Sequence, residues 1–305
     1  MKFFIVDAFT DQPFGGNPAG VVIVPEDGTF PDEAMMAKIA AELRYSETAF
    51  VQPNGSDAFR IRYFTTVAEV DLCGHATIGS FIALLEAGMV SPGKTYHMEA
   101  NAGTLEVTVE DDRVFMDMAV PESLKLISDH REAAELYRVM GLEEEHAAAV
   151  LDPEWVLMPE LISTGLPDIL LPVADRETLA KIKPDFEALS ELSKRYDAIG
   201  VHAFALGEGL LGEECADVEQ VSAYCRNFAP IVGIDEEAAT GTSNGALTYY
   251  LFKNALIDEG SESLFLQGES MGRPSKIYGR ITETDDGLRV RIGGGGIVLA
   301  RGELG

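Results

Sequence analysis

The chain has 305 residues, 46% of them hydrophobic and 24% charged, which suits two domains of about 150 residues and excludes a disordered, collagen-like or disulfide-stapled chain. Lys and Arg total 23 against 51 Asp and Glu, a formal net charge of −28. A field of that sign repels phosphate backbones and anionic lipid, so no nucleic acid and no membrane partner is expected. Local donors can still hold an anionic small molecule, and solubility or salinity alone accounts for the acidity. Cys73, Cys215 and Cys225 form no CxxC or zinc-like cluster, which points to a reducing compartment. With no long apolar leader and no run near eighteen apolar residues, the expected location is cytoplasmic.

In chain order, residues 2–8 read as a strand and 11–18 as a turn-rich Gly, Pro and Asn loop. Residues 19–24 read as a second strand. Pro31 and Asp32 open a helix on which Met36, Ile39, Ala40 and Leu43 share a face. A strand starting near Ser46 carries Glu47 into Phe50 and Val51, and 60–64 form another. A helix follows Gly74 and His75, with the stripe Ile78, Phe81, Ile82, Leu85, and Gly88 lies beyond its end. Residues 104–110 alternate, and Asp111–Asp112 turn into 114–118.

Residues 121–130 read as a domain boundary. A helix is expected at 129–140, then a solvated acidic stretch at 142–145. Strands are expected at 166–173 and 197–206, and between them Ile182, Phe186 and Leu189 fit one helical face. A long helix opens near Ser243 and runs towards Leu256. The tail alternates around glycines 293–296. Cys73-Gly-His-Ala-Thr77 and Thr240-Gly-Thr-Ser-Asn244 each precede an apolar helix, and acidic residues stand shortly before both. This echo suggests two similar domains.

Small residues at a helix start expose backbone N–H groups on the positive end of the dipole, where a carboxylate can sit without a lysine. Ordinary capping by Thr77, Thr242 or Ser243 is the plainer alternative. Glu47, entering an apolar strand, is expected to be partly buried with a raised pKa, as proton abstraction near neutral pH requires; an edge-strand surface glutamate is the other reading. His75 is a proton shuttle or a helix-start polar residue. Cys73 precedes N–H groups that would stabilise a thiolate, or it is structural, as Cys215 and Cys225 are taken to be. His97, His130, His146 and His202 are scattered and there is no HExxH, so no metal site is expected. The glycine run makes neither GxGxxG nor a Walker loop.

The set of segments resembles the phenazine biosynthesis PhzF-like family. It comprises Asp7-Ala-Phe-Thr with Phe14-Gly-Gly-Asn-Pro-Ala-Gly20, Ser46-Glu47-Thr48, Cys73-Gly-His-Ala-Thr77, Gly165-Leu-Pro167, Arg226 with Phe228-Ala-Pro230, Thr240-Gly241 with Asn244-Gly245, and Gln267-Gly268 with Met271-Gly-Arg-Pro-Ser275. The resemblance implies an α+β, diaminopimelate-epimerase-like fold. Its two similar domains each have a curved sheet around a central helix, with the active site between them. It places domains at 1–120, completed by a strand at 289–302, and at 121–288, and it implies a homodimer.

The same resemblance implies an isomerase of a small carboxylate-bearing substrate that needs no metal or organic cofactor. Glu47, His75 and Glu237 would be catalytic, and Asn17, Cys73, Gly74, Gly241, Thr242 and Ser243 would bind substrate. Two departures bear on the substrate: Glu237 stands where the phenazine enzyme has an aspartate, and Thr242 stands where it has a serine. Diaminopimelate epimerase pairs two cysteines, of which Cys73 matches the first while Thr240 replaces the second. The alternatives are an amino-acid epimerase or racemase using Glu47 and Cys73, and a non-catalytic metabolite-binding or interaction module with a vestigial site.

Overall fold

The computed structural model describes residues 1–143, 150–152, 155–211, 220–285 and 287–305. Cys215, His146 and the end of the acidic 142–145 stretch lie outside the described residues. The chain divides into two compact units, Met1–Asp117 with Gly293–Gly305, and Met118–Ile292. The architecture is α+β.

Unit 1 contains β1 (Lys2–Ala8), β2 (Asn17–Ile23), β3 (Thr48–Pro53), β4 (Ala58–Phe64), β5 (Glu69–Val70), β6 (Lys94–Ala100), β7 (Gly103–Val109) and β8 (Val114–Asp117). β1 is antiparallel to β2 and β2 parallel to β3. β3 is antiparallel to β4, β4 parallel to β6, and β6 antiparallel to β7. The chain's last strand, Gly296–Glu303, pairs with the other edge of β1.

Each parallel step needs a crossover, and here each is a helix. Glu33–Leu43 begins where Asp32 accepts the Met35 N–H, as its Pro-Asp sequence predicts. It buries Met36 and Ala40 against Val22, Phe50 and Phe64. Gly74–Glu86 is apolar all round and buries nine of its thirteen residues, so it is a core helix rather than an amphipathic surface one. It packs on β1, β2, β3, β8 and the last strand, which makes it the axis of the unit.

Unit 2 contains β9 (Glu122–Leu126), β10 (Val150–Asp152), β11 (Trp155–Val156), β12 (Glu160–Ser163), β13 (Pro167–Pro172), β14 (Gly200–Leu206), β15 (Ala223–Ala229), β16 (Ile234–Glu237), β17 (Glu262–Gln267) and β18 (Ser275–Thr284). β19 (Gly287–Gly294) then leads the chain back into unit 1. β12 is antiparallel to β13, β13 parallel to β14, β14 antiparallel to β15, β15 parallel to β17, and β17 antiparallel to β18.

That alternation repeats β1–β2–β3–β4–β6–β7 step for step, and the short β5 and β16 hang on equivalent strands, β4 and β15. The faint sequence echo is therefore a repeat of strand order. The helix Gly241–Lys253, expected from Ser243, starts two residues earlier and occupies the position of Gly74–Glu86 in the repeat. It buries nine residues and packs on β12, β13 and β18.

One expectation fails in detail. Ile182, Phe186 and Leu189 do not share a helix, because Arg176–Lys181 ends with Ile182 as its cap and Asp185 starts Phe186–Tyr196. Pro184 breaks the pattern, since the residue before a proline is pushed out of helical geometry. Among the described residues no helix is long and apolar enough to cross a membrane.

Candidate active site

In unit 1 the turn-rich loop before β2 sets the first side chain. The buried Asp7 carboxylate accepts the Phe14 N–H at 2.8 Å and pins the loop. Gly16 then turns with φ of 61°, and a Cβ there would lie 2.1 Å from the Ala8 carbonyl oxygen, so only glycine fits. The next residue, Asn17, is buried, and its Nδ2 lies 3.2 Å from His75 Nδ1.

Cys73 is the residue before the central helix and His75 is the helix's second residue, so two steps of chain bring sulfur and imidazole together. Cys73 Sγ is 3.5 Å from His75 Nδ1. His75 Nε2 lies 3.3 Å from Glu47 Oε2 and 3.4 Å from Ser46 Oγ. Glu47 sits immediately before β3, with its side chain 14% exposed and that of His75 4%. The structure therefore brings Asn17, Ser46, Glu47, Cys73 and His75 into one cluster.

The electrostatics correct two expectations. Burial pushes the Glu47 carboxyl up, as anticipated, but hydrogen bonding and charge from His75, with help from Ser46 and Cys73, outweigh it. The group ends below its ordinary 4.5. Burial pushes the His75 imidazole down, but the Cys73 sulfur and the Glu47 carboxylate prevail, and it ends well above 6.5. The resting pair is carboxylate and imidazolium, a base beside an acid.

Cys73 is raised rather than lowered. Burial and the Glu47 charge overcome His75 and the Ala76 N–H, so it is a neutral thiol. The expected thiolate fails because the helix start is dry and a carboxylate faces it.

Neither central helix has a side-chain N-cap. Thr77 instead donates its hydroxyl to the Cys73 carbonyl and meets Tyr63 Oη at 2.6 Å. Ser243 is fully buried and donates to Asp168 Oδ2 at 2.6 Å, so its hydroxyl is already spent inside the protein. Thr242, half-buried, has its carbonyl taken by the Thr164 hydroxyl. The plainer capping reading does not hold at either start.

Unit 2 assembles its own polar cluster. Glu237, the last residue of β16, accepts the Thr240 hydroxyl at 2.6 Å. The Gln267 side chain ties the turn together. It donates to the Glu237 carbonyl and to Thr240 Oγ1, and accepts from the Thr240 N–H and from Asn244 Nδ2. Gly241 is buried at the helix's first position.

Asp168, at the start of β13, is buried, and burial pushes its carboxyl up to about 6 against the Ser243 hydrogen bond, with Glu237 adding repulsion. Sequence reasoning missed Asp168. The available signal was a lone carboxylate entering the apolar run Ile169-Leu-Leu171 directly after Gly165-Leu-Pro167.

One carboxylate oxygen of Glu47, Cys73 Sγ and one ring nitrogen of His75 lie within 4.8 Å of one another, an arrangement able to hold a metal ion. No sequence spacing announced it, because Glu47 arrives from another strand. Arg226, which the sequence grouped with the family segments, is structural: it is bidentate to Glu236 at 2.8 Å and donates to the Leu179 and Ile182 carbonyls. A surface hollow of about 300 Å3 lined by Lys125, Glu132, Leu161, Arg195 and Tyr196 contains none of the candidate residues.

The sequence model of the phenazine biosynthesis-like protein family (PhzC-PhzF) matches residues 6–302. The chain belongs to this family. It is 31% identical over 314 residues to an uncharacterized isomerase of Clostridium acetobutylicum, covering 99% of this chain and 97% of that one. It is 30% identical over 311 residues to the trans-2,3-dihydro-3-hydroxyanthranilate isomerase of Pseudomonas fluorescens, covering 99% of each. The crystal structure of a PhzF-family phenazine biosynthesis protein of Bacillus anthracis superposes with a TM-score of 0.82 at 28% identity, covering 100% of this chain and 98% of that one. The chain is thus a PhzF-like isomerase at the level of its family.

Proposed function

We propose that the protein is a cofactor-independent isomerase that moves a proton between two carbons of a small, carboxylate-bearing metabolite, with Glu47 as the proton carrier. The observation that carries this reading is the 3.3 Å contact between Glu47 Oε2 and His75 Nε2 in a nearly dry cluster. It keeps Glu47 ionised and ready to accept a proton, although a weaker base than an ordinary glutamate, with a charged acid beside it.

Glu47 takes a proton from a carbon next to an unsaturated or carboxylated centre, and the electron pair moves into the conjugated system. Glu47, now neutral, returns the proton to a second carbon, and atoms balance with no redox step. Negative charge on the intermediate is met by His75 and by the uncapped N–H groups that open Gly74–Glu86. The family resemblance supports a role on the same substrate for Glu237 and for the backbone at Gly241, Thr242 and Ser243. It also supports a homodimer, which light scattering tests.

The test is proton exchange in D2O followed by NMR. A panel of small carboxylic acids, including trans-2,3-dihydro-3-hydroxyanthranilate, is incubated with wild type and with Glu47→Gln. Deuterium entering a carbon with wild type and not with the variant is the expected result. Binding without exchange identifies a non-catalytic metabolite-binding module.

A second reading, an amino-acid epimerase pairing Glu47 as base with Cys73 as acid, is favoured by the neutral thiol facing Glu47. It predicts label at a stereocentre with loss of optical activity, whereas the proton shift relocates a double bond.

A further inference from the structure

We propose that His202 and Asn244 are positioning residues for the Glu237 carboxylate, acting through a chain of hydrogen bonds that all point one way: His202 to Asn244, Asn244 to Gln267, Gln267 to Thr240, and Thr240 to Glu237. His202 lies on β14 opposite Asn227 of β15, and Asn227 in turn lies opposite Glu237 of β16. His202, Asn227, Asn244 and Gln267 are all buried.

Backbone groups fix the direction, because an N–H can only donate and a carbonyl can only accept. The Thr240 N–H meets Gln267 Oε1 at 3.2 Å, and the Glu237 carbonyl meets Gln267 Nε2 at 2.8 Å. The Gln267 amide therefore has one orientation. Its nitrogen also donates to Thr240 Oγ1 at 3.1 Å, which leaves the single hydroxyl proton for Glu237 Oε2 at 2.6 Å. The Asn244 amide is fixed in the same manner: its Nδ2 lies 2.8 Å from the Thr240 carbonyl and 2.8 Å from Gln267 Oε1. The other end of that amide, Oδ1, can only accept.

Asn244 Oδ1 is buried without a well-aligned partner, and so is His202 Nε2. The two side chains interact, since a hydrogen bond from the ring to Asn244 favours its protonated form, as an acceptor does. Asn227 already stands 3.2 Å from His202 Nδ1, so the nitrogen left for Asn244 is Nε2. Burial pushes the His202 ring down to about 4 against both asparagines, and at neutral pH the ring carries one N–H. That proton sits on Nε2 and goes to Asn244 Oδ1. Nδ1 then accepts from Asn227, whose amide is turned to present Nδ2.

Every middle group in the chain accepts from the one before it and donates to the next, so the bonds strengthen one another. The last of them holds Glu237 in place. Without the His202 N–H, Asn244 Oδ1 is left unpaired; a turned amide would set oxygen against Gln267 Oε1 and loosen Thr240. That Glu237 meets the substrate rests on the reading above, whereas the chain itself does not.

The first test needs no substrate. Ring 15N NMR of the labelled protein at pH 6–8, with the His202 signals assigned by their loss in His202→Gln, is expected to show the neutral Nε2–H tautomer. An Nδ1–H tautomer or an imidazolium overturns the chain. Crystal structures of wild type and His202→Leu are expected to show the Glu237 carboxylate displaced from Thr240 in the variant. A carboxylate that stays in place overturns the positioning role.

The second test uses the acid that the exchange panel identifies. His202→Leu is expected to lower kcat about tenfold or more with KM little changed. His202→Gln, which keeps a side-chain N–H for Asn244, should recover much of that loss. Gln267→Met cuts the chain in the middle, and adding His202→Leu to it should cost nothing further. Losses that multiply in the double variant, with thermal melts showing each protein folded, overturn the chain as the route. The Nε2–H tautomer and a displaced Glu237, with no exchange by wild type on any acid, leave the chain standing and remove the isomerase reading.

Discussion

Glu47 Oε2 stands 3.3 Å from His75 Nε2, with both side chains almost out of water. Each group alone would resist ionising there, and together they hold each other charged. A carboxylate and an imidazolium thereby stand side by side at neutral pH.

Glu47→Gln keeps the shape of the side chain and removes the base. Deuterium exchange into the substrate is expected to fall by about 10²–10⁴-fold, the usual weight of a general base, while the melting temperature falls because the buried imidazolium loses its partner. Exchange rates and thermal melts on the same preparations check both halves. Exchange at the wild-type rate would take Glu47 out of the chemistry.

The ion pair has a stability signature with pH. The depressed Glu47 pKa stabilises the fold above the unfolded value of 4.5, and that contribution is lost as pH falls through the folded value. The raised His75 pKa stabilises below 6.5, and that contribution is lost as pH rises through the folded value. The destabilisation caused by His75→Gln should therefore be greatest between about pH 4.5 and 6.5 and shrink on both sides. Urea unfolding of wild type and variant across pH 4–9 measures it; a flat difference rules the pair out as the cause.

Asp168 behaves in the opposite sense. Its carboxyl is held up at about 6 from an ordinary 3.8, so the native state binds the proton more tightly and stability is lost as pH rises through 6. Asp168→Asn keeps an oxygen for the Ser243 hydroxyl and removes the buried charge. At pH 8 it should be more stable than wild type by up to about 3 kcal/mol, and the advantage should vanish below pH 4. Chemical denaturation at the two pH values decides.

Gly20 offers a test of positioning at a distance from the chemistry. A Cβ there would sit 2.7 Å from the hydroxyl of Thr48 and 3.2 Å from its methyl, and Thr48 is fully buried directly after Glu47. Gly20→Ala is expected to cost about 1–3 kcal/mol and to lower exchange about tenfold or more by displacing Glu47. Gly20→Ala combined with Thr48→Ala removes the two Thr48 atoms, leaves the Leu43 methyl at 3.0 Å, and should recover part of each loss. A double-mutant cycle with no coupling refutes the link.

Local chemistry carried much of the fold into the sequence. Asp32 as a cap, the apolar helix after Gly74, and the alternation leading to buried Val107 and Val109 are all short-range signals. The near-symmetry of the two central helix starts was visible as a pair of small-residue segments. Strand order was not: that β2 pairs with β3 in parallel and β4 with β6 depends on contacts far apart in the chain.

The site divides in the same way. Cys73 and His75 are two residues apart and were legible together, while the charge state of Glu47 depends on a histidine 28 positions away, and so its direction was misread. Asp168 and Ser243, 75 positions apart, gave no local sign of their contact.

Residues 293–305 belong to the unit that begins at Met1, and the Leu304 carbonyl accepts from the N-terminal amine at 3.0 Å. The intervening 175 residues, Met118–Ile292, form a unit contiguous in the chain. On the ribosome, where segments fold as they emerge, the contiguous unit can finish first. The one bearing Glu47 and His75 waits for a strand made more than two hundred residues later. Until that strand arrives, the half-formed sheet of this unit has an open edge at β1.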